Sequence, residues 1–413
     1  MKKFLLISAL FIIPIALSAQ QRTHLPYSVF GIGELTPDGL NQSMALGRTG
    51  IALSSNRYLN NINPASNAHI DSISFLFDVG ISGDFVKYEA SGLTQHGNDV
   101  NIRNIAMGFR ITPNWSASIG IAPYSAVGYK IVTDKYIDGL IGETFELEMT
   151  GSGGLNRFYW DNSYLLFKRL SLGVSFTYLF GNIEATETAS FGNFANDIVS
   201  KQTSYLNKVY ADFGIQYYFP VNKDLEVTLG GIFGNSHKLN FKQGIQVSEA
   251  NGTLEQEEIT RTGTFILPLY YGGGFSLSYK NQLTFSADYI YHDWSATKSD
   301  NPNFNYMNNN SFRAGAEYIP GRINRLGYLG SIAYRAGYYH EQSYLQVSGV
   351  SASDNGISLG LGLPFLQNRT TVNIAYNFGV NGTMNNSMIK ETYHSFMFSV
   401  AMHDWWFIKR KYD

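Results

Sequence analysis

The chain contains no cysteine. That excludes a disulfide framework and a zinc–thiolate site, so an exported protein of this composition must gain its stability another way, and a closed sheet is one. Charge is scarce as well. Asp, Glu, Lys and Arg make up 15% of the residues, against about 25% in an average soluble domain. The net charge of -2 leaves no basic surface for nucleic acid. Long apolar runs are missing after the first twenty residues, so no membrane-spanning helix is expected. What is abundant is aromatic: 28 Tyr and 28 Phe in 413 residues, with 41 Gly. Low charge with many aromatics is not a disordered composition. It describes a surface that faces lipid without forming an apolar helix.

The start, "MKKFLLISALFIIPIALSAQQ", has Lys2 and Lys3, an apolar run from Phe4 to Leu17, and small residues at Ala16, Ser18 and Ala19. This is the layout of a secretory signal peptide over residues 1–19. The apolar run is too short for a comfortable spanning helix. Cleavage is expected after Ser18 or Ala19, and no cysteine follows to carry a lipid.

Alternation dominates the rest. In "LSLGVSFTYLF", Leu170, Leu172, Val174, Phe176, Tyr178 and Phe180 share one face, and Ser171, Gly173, Ser175 and Thr177 the other. The same rhythm runs through 209–219, 225–233, 283–291, 357–365, 372–380 and 396–402. Aromatics gather at strand ends (Tyr217 to Phe219; Tyr289, Tyr291 and Trp294; Trp405 to Phe407), as at the interfaces of a membrane barrel. Short turns at 219–225 and 279–283 alternate with polar stretches read as long loops at 184–204, 244–263 and 292–311. Residues 143–154 alternate fairly, with Gly-rich ends that fit either a strand or a loop excursion. The expectation is an all-β fold: a transmembrane antiparallel barrel of about fourteen strands over 71–404. A short basic tail, 405–413, follows.

Residues 20–70 do not alternate. They are too polar for lipid and too apolar for a loose tail, which places them in the barrel lumen as a hatch, or plug, since irregular backbone at membrane depth is tolerated where protein buries it. "NQSMALGRTG" (41–50) has room for a helical turn. In "NNINPASNAHID" (60–71), Pro64 fixes its own φ and pushes Asn63 away from the α region. The kink is expected to turn the chain from the lumen into the first strand.

The stretch "ALGRTGIALSSNRYLNNINPAS" resembles the N-terminal hatch of the long-chain fatty acid transporter (FadL, TodX-type) family of outer-membrane proteins. Gly47 and Arg48, then Asn63, Pro64 and Ala65 carry the likeness, and Trp294-Ser295 in "SADYIYHDWSAT" is similar to a late-strand element of that family. The resemblance implies a channel in the outer membrane of a Gram-negative cell for passive uptake of hydrophobic, fatty-acid-like compounds. The hatch would be its gate, and its partners a hydrophobic small molecule or lipid and the surrounding outer-membrane lipids. The alternative is a structural or shuttle subunit of an outer-membrane protein secretion or assembly complex, with other complex subunits as partners. A continuous apolar tunnel favours the first and a polar, sealed interior the second.

Nothing points to catalysis. The eight His are scattered, and "GSGG" (151–154) lacks the lysine of a phosphate loop. "HDW" at 292–294 and 403–405 reads as interface placement beside aromatics. "LEQEE" (254–258) reads as a solvated loop without calcium-loop spacing. No enzyme activity, cofactor, metal or nucleic acid is expected. If the mature chain is a closed membrane barrel, unboiled protein should migrate faster than boiled protein in SDS gels. A mature form that is water-soluble in the periplasm would overturn the assignment.

Overall fold

In a computed structural model, residues 26–405 are described apart from 73, 91, 138–141, 193–195, 250–258, 300–303, 323–326, 348, 366–368 and 385–387. The strands form one sheet. They are β1 (Glu34–Leu35), β2 (Ser74–Ala90), β3 (Leu93–Thr112), β4 (Trp115–Tyr136), β5 (Thr144–Leu166), β6 (Leu170–Ser190), β7 (Ile198–Pro220), β8 (Leu225–Gly234) and β9 (His237–Glu249). They continue as β10 (Ile259–Leu267), β11 (Leu269–Tyr279), β12 (Leu283–Asp293), β13 (Phe304–Tyr306), β14 (Asn309–Tyr318), β15 (Ala333–Val347), β16 (Val350–Phe365), β17 (Thr370–Asn381) and β18 (Lys390–Trp405).

Neighbours are antiparallel, and β18 pairs back to β2 from Lys390↔Glu89 to Trp405↔Ser74, which closes the barrel. β8 and β9 are halves of one spanning strand, since β7 pairs with both. Pro268, which has no amide proton to give a ladder, parts β10 from β11. β13 and β14 are likewise halves, both laddered to β15. With β1 belonging to the N-terminal segment, the wall is a closed antiparallel barrel of fourteen strands.

The period-two pattern sorts side chains as lipid and lumen require. On β6, Leu172, Phe176 and Tyr178 are exposed and Ser171, Ser175 and Thr177 are buried. On β7, Val209, Phe213, Ile215 and Phe219 face out while Gln216 and Tyr218 face in. Among the described residues no helix is long and apolar enough to cross a membrane.

Several loop assignments change. Residues 143–154 are neither a separate strand nor an excursion but belong almost entirely to the outer half of β5. The stretches 184–204 and 244–263, read as loops, are mostly ladder: β6 runs to Ser190, β7 starts at Ile198, β9 runs to Glu249 and β10 starts at Ile259. The stretch 292–311 contains β13. A spanning strand needs about 9–11 residues, whereas β4 to β7 have 21 to 23. Their outer halves stand above the bilayer, where both faces meet water and the lipid-against-lumen contrast that marks a strand disappears. β12 and β17, with 11 and 12 residues, stop near the interface, so the wall is tall on one side and low on the other. The last strand ends at Trp405. Residues 406–413 of the basic tail and the 1–19 signal segment lie outside the described residues.

Residues 26–72 pack against the polar, non-lipid face of these strands. A short helix, α1 (Asn41–Ala45), packs Met44 and Ala45 against Ala375 and Met397 of β17 and β18. The backbone approaches the wall so closely that glycine is needed on both sides. A Cβ on Gly337 would overlap the Gly47 amide, and one on Gly173 would overlap the Ala65 amide. Gly47 itself has φ +64, and its Cβ would strike the carbonyl oxygen of Ala314. Gly92, in an outer turn, has φ +83 with nothing within 4 Å. Both Ala variants therefore pay the left-handed cost of roughly 1–2 kcal/mol, but only Gly47→Ala meets the wall. Gly47→Ala should expose residues 26–70 to protease in detergent and lower the melting temperature clearly more than Gly92→Ala. Equal behaviour of the two would count against close packing at Gly47.

Candidate functional site

The first anchor of the segment is Arg48. Its backbone is left-handed (φ 66) and its side chain is 5% exposed. Nη1 donates to Glu341 Oε2 at 2.8 Å and Asp354 Oδ2 at 3.0 Å, and Nη2 to the Tyr393 hydroxyl at 3.2 Å. The guanidinium lies over the Tyr339 ring, 3.7 Å from its centroid. Arg313 completes the set: Nη2 meets Glu341 Oε1 at 2.9 Å and Nη1 donates to the Arg48 carbonyl at 3.1 Å. The Tyr393 hydroxyl donates to Asp354 Oδ1 at 2.6 Å and pairs with the Tyr339 hydroxyl at 2.7 Å. Two cations and two carboxylates balance, as buried charge requires.

The second anchor is backbone held by side chains. Asp288 Oδ2 accepts from the amides of Gly50 (2.7 Å) and Ile51 (3.0 Å). Gln216 Nε2 and Asn63 Nδ2 both donate to the Ile51 carbonyl, at 2.8 and 2.7 Å, and Ser276 Oγ donates to the Ala52 carbonyl at 3.0 Å. The third anchor is Asn63-Pro64-Ala65. Asn63 Oδ1 accepts from the Ala65 amide at 2.9 Å, which closes the turn that Pro64 sets. Ser163 and Ser171 hydroxyls donate to the carbonyls of Pro64 (2.5 Å) and Ala65 (2.6 Å). A 3-10 turn at Ser66–His69 then leads toward β2.

An apolar layer seals the outer end. Leu155, Leu179, Leu206, Leu239 and Leu267, one from each of five neighbouring strands, surround Ile32. Trp294 is 1% exposed. It stacks on Tyr344 at 4.5 Å and on Tyr306 at 6.0 Å, and its Nε1 donates to Asn309 Oδ1 at 2.9 Å. Phe30 meets Phe304 at 4.6 Å, and the Tyr344 hydroxyl donates to the Gly33 carbonyl at 2.7 Å. Trp294 is thus turned inward, not toward the bilayer interface as its place at a strand end implied: its indole N–H finds a partner inside and its ring completes a stack. Ser295 is exposed and its amide donates to Asp293 Oδ1.

Two cavities flank the segment. The outer one, of about 380 Å³, is lined by groups such as Arg48, Arg157, Asp212, His237 and Glu341. The inner one, of about 750 Å³ at the short-turn rim, is lined by Ser54, Arg57, Asn60, Lys168 and Arg169 among others. Residues of the 42–64 stretch line both; the inner surface is mainly polar, and the outer one mixes charged groups with apolar ones such as Met44, Ile62, Ile232 and Ile290. One seam in the wall is incomplete. The β3–β4 ladder runs from Thr112↔Trp115 only to Ile105↔Ile121, although both strands continue. β4 shifts register between Pro123 and Ser125 and pairs there with β1 of the segment. Asp99 and Arg103 of β3 line the outer cavity at this place.

The residues singled out from the sequence are therefore not one site. Gly47 and Arg48 face β14 to β16 and β18, Asn63 to Ala65 face β5 to β7, and Trp294 belongs to the outer seal. Sequence reading missed Arg313, Glu341, Asp354 and Asp288. Each is a charge on the non-lipid face of a strand, and in a membrane wall such a charge signals a partner inside. Arg48→Met leaves Glu341 and Asp354 facing one cation. It should cost about 3–5 kcal/mol, the range for breaking a buried pair, read as a lowered unfolding midpoint. Adding Asp354→Asn should recover part of that loss. An Arg48→Met barrel as stable as wild type would remove Arg48 as an anchor.

Residues 1–413 match the BamG family model, and no curated protein matches. Among solved structures the chain is similar to a FadL homologue from Pseudomonas aeruginosa, at 12% identity and TM-score 0.62, over 90% of this chain and 99% of that one. It is also similar to the Pseudomonas putida toluene transporter TodX, at 14% identity and TM-score 0.55, over 91% and 100%. The Ralstonia pickettii toluene transporter TbuX is alike at 15% identity and TM-score 0.55, over 90% and 99%. At such identities the likeness is one of fold, so the resemblance to FadL holds for the architecture, while the family model carries another name. The chain, a fourteen-stranded barrel of the outer-membrane type, belongs to the BamG family.

Proposed function

We propose that this barrel is a structural subunit of an outer-membrane protein assembly complex. The observation that carries the reading is the lumen. A passive path for apolar molecules needs a continuous apolar lining, because capture is driven by burying apolar surface at about 25 cal/mol per Å². Here the inner cavity is lined mainly by polar groups, charged groups such as Arg48, Arg157, Asp212 and Glu341 interrupt the apolar lining of the outer one, and residues 47–67 are tied across the lumen by many hydrogen bonds and ion pairs. Moving the segment aside would leave Glu341, Asp354 and Asp288 short of partners, a large cost at low dielectric. The family's name supports the same direction. On this reading Gly47, Arg48, Asn63, Pro64 and Ala65 are fixtures that keep the barrel rigid and closed.

A second reading, passive uptake of a hydrophobic compound, draws on the incomplete β3–β4 seam and on the fold shared with toluene transporters. There the segment would act as gate, and apolar molecules would leave through the wall.

Two measurements separate them. As an assembly subunit, the barrel extracted in mild detergent should elute as a stable large complex, and the purified barrel should be silent in planar bilayers. Deleting the barrel should leave uptake of toluene and oleate unchanged. Loss of that uptake in the deletion strain, with a barrel that purifies alone, would establish the channel instead.

A further inference from the structure

The near-zero net charge hides a separation along the barrel axis. The outer ends of the strands and the turns between them carry Asp134, Glu143, Glu146, Glu187, Asp197 and Glu249. The short turns carry Lys168, Arg169, Lys223, Lys280 and Arg369, all exposed. In an outer-membrane barrel the short-turn rim faces the periplasm. A ring of cations there, just below exposed aromatics such as Tyr164, Phe219, Tyr279 and Phe365, would by itself suit lipid phosphates.

One cation does not fit that explanation. Arg57 lies on the N-terminal segment, inside the circumference of the wall, where a headgroup of the bilayer does not reach. It is exposed and lines the inner cavity, whose lip carries Lys168 and Arg169. Of the three carboxylates on that cavity, Glu317 is neutralised by buried Arg335 at 2.7 Å, and Asp71 accepts from Asn56 Nδ2 at 2.9 Å and faces His403 while keeping its charge. Glu226 remains exposed at the edge. The floor between them is hydrogen-bonding in character, with Ser54, Ser55, Asn56 and Asn60. A concave polar mouth with cations on its floor and lip is complementary to an extended chain bearing carboxylates.

We propose that the periplasmic mouth docks an acidic extended segment of a partner protein, its carboxylates taken by Arg57 on the floor and by Lys168 and Arg169 on the lip. The proposal rests on the assembly-subunit reading and names the side of the barrel, and the charge of the partner, through which the subunit would be held.

The test uses the full-length mature barrel in nanodiscs of zwitterionic phosphatidylcholine. The probe is a short fluorescein-labelled peptide of alternating glutamate and serine, with a lysine–serine peptide for comparison. The acidic peptide should raise anisotropy, and raised salt should weaken it by screening. The triple variant Arg57→Glu, Lys168→Glu, Arg169→Glu should bind about tenfold more weakly, as expected for reversing charges that face the ligand. Lys223→Glu with Lys280→Glu, whose side chains are not among those lining the mouth, should bind like wild type. Heat-modifiable migration confirms that each variant is folded. Equal binding of the acidic and basic peptides, or equal loss in both sets of variants, overturns the proposal. In cells, a complex that survives the triple variant intact overturns the docking and leaves the assembly reading standing. A wild-type barrel that purifies alone overturns that reading, while the peptide measurement still decides the charge of the mouth.

Discussion

Every backbone amide and carbonyl at membrane depth must find a partner within the protein, because hydrocarbon offers none. The wall meets this demand by closing through the β18–β2 ladder, except at the upper β3–β4 seam, where β1 pairs with β4 instead. The N-terminal segment meets it differently. Its backbone is irregular, so wall side chains supply the partners: Asp288 for two amides, Gln216 and Ser276 for carbonyls, Ser163 and Ser171 for the Pro64-Ala65 corner. The small polar face of the strands follows from this. Ser, Asn, Gln and Gly stand inside because they must reach, or make way for, another piece of backbone.

Charge and apolar packing divide the lumen between them. At mid-depth Arg48 bridges the segment to three strands through Glu341, Asp354 and Tyr393, a geometry that fixes one register because a shifted segment would leave carboxylates unpaired. Toward the outer mouth the contacts become leucine and aromatic, which exclude water and tolerate small displacements. The polar anchors supply specificity of position, and the apolar layer supplies closure. A lumen organised in this way is suited to holding shape, which is why we favour a subunit role over a conduit.

The unequal wall heights have a related origin. β4 to β7 extend well past the bilayer, whereas β12 and β17 end near it. The seam at β3 and β4, where Pro123 precedes a register shift, is the place at which the wall gives up its own ladder and takes β1 from the segment instead. Wall and segment are therefore one hydrogen-bonded body, and the cations gathered at the opposite rim lie on both of its parts.

The sequence by itself determined the barrel. Leu172, Phe176 and Tyr178 against Ser171, Ser175 and Thr177 is a local contrast, set by lipid on one side and protein on the other, and it can be read residue by residue. The same contrast failed for 184–204 and 244–263, because above the membrane both faces of a strand meet water. Gly47, Arg48 and Pro64 could be noticed in the chain, but their partners could not: Glu341 and Asp354 lie some three hundred positions away in sequence, and nothing local marks them as a pair for Arg48. The inward turn of Trp294 was equally hidden, since a tryptophan at a strand end looks the same whether its ring meets lipid or Tyr344. Only closure of the sheet brought β15, β16 and β18 around residue 48 and stacked Tyr306 and Tyr344 on Trp294. Contacts across a closed lumen are fixed by the shear and circumference of the whole wall, which no short stretch of the chain encodes.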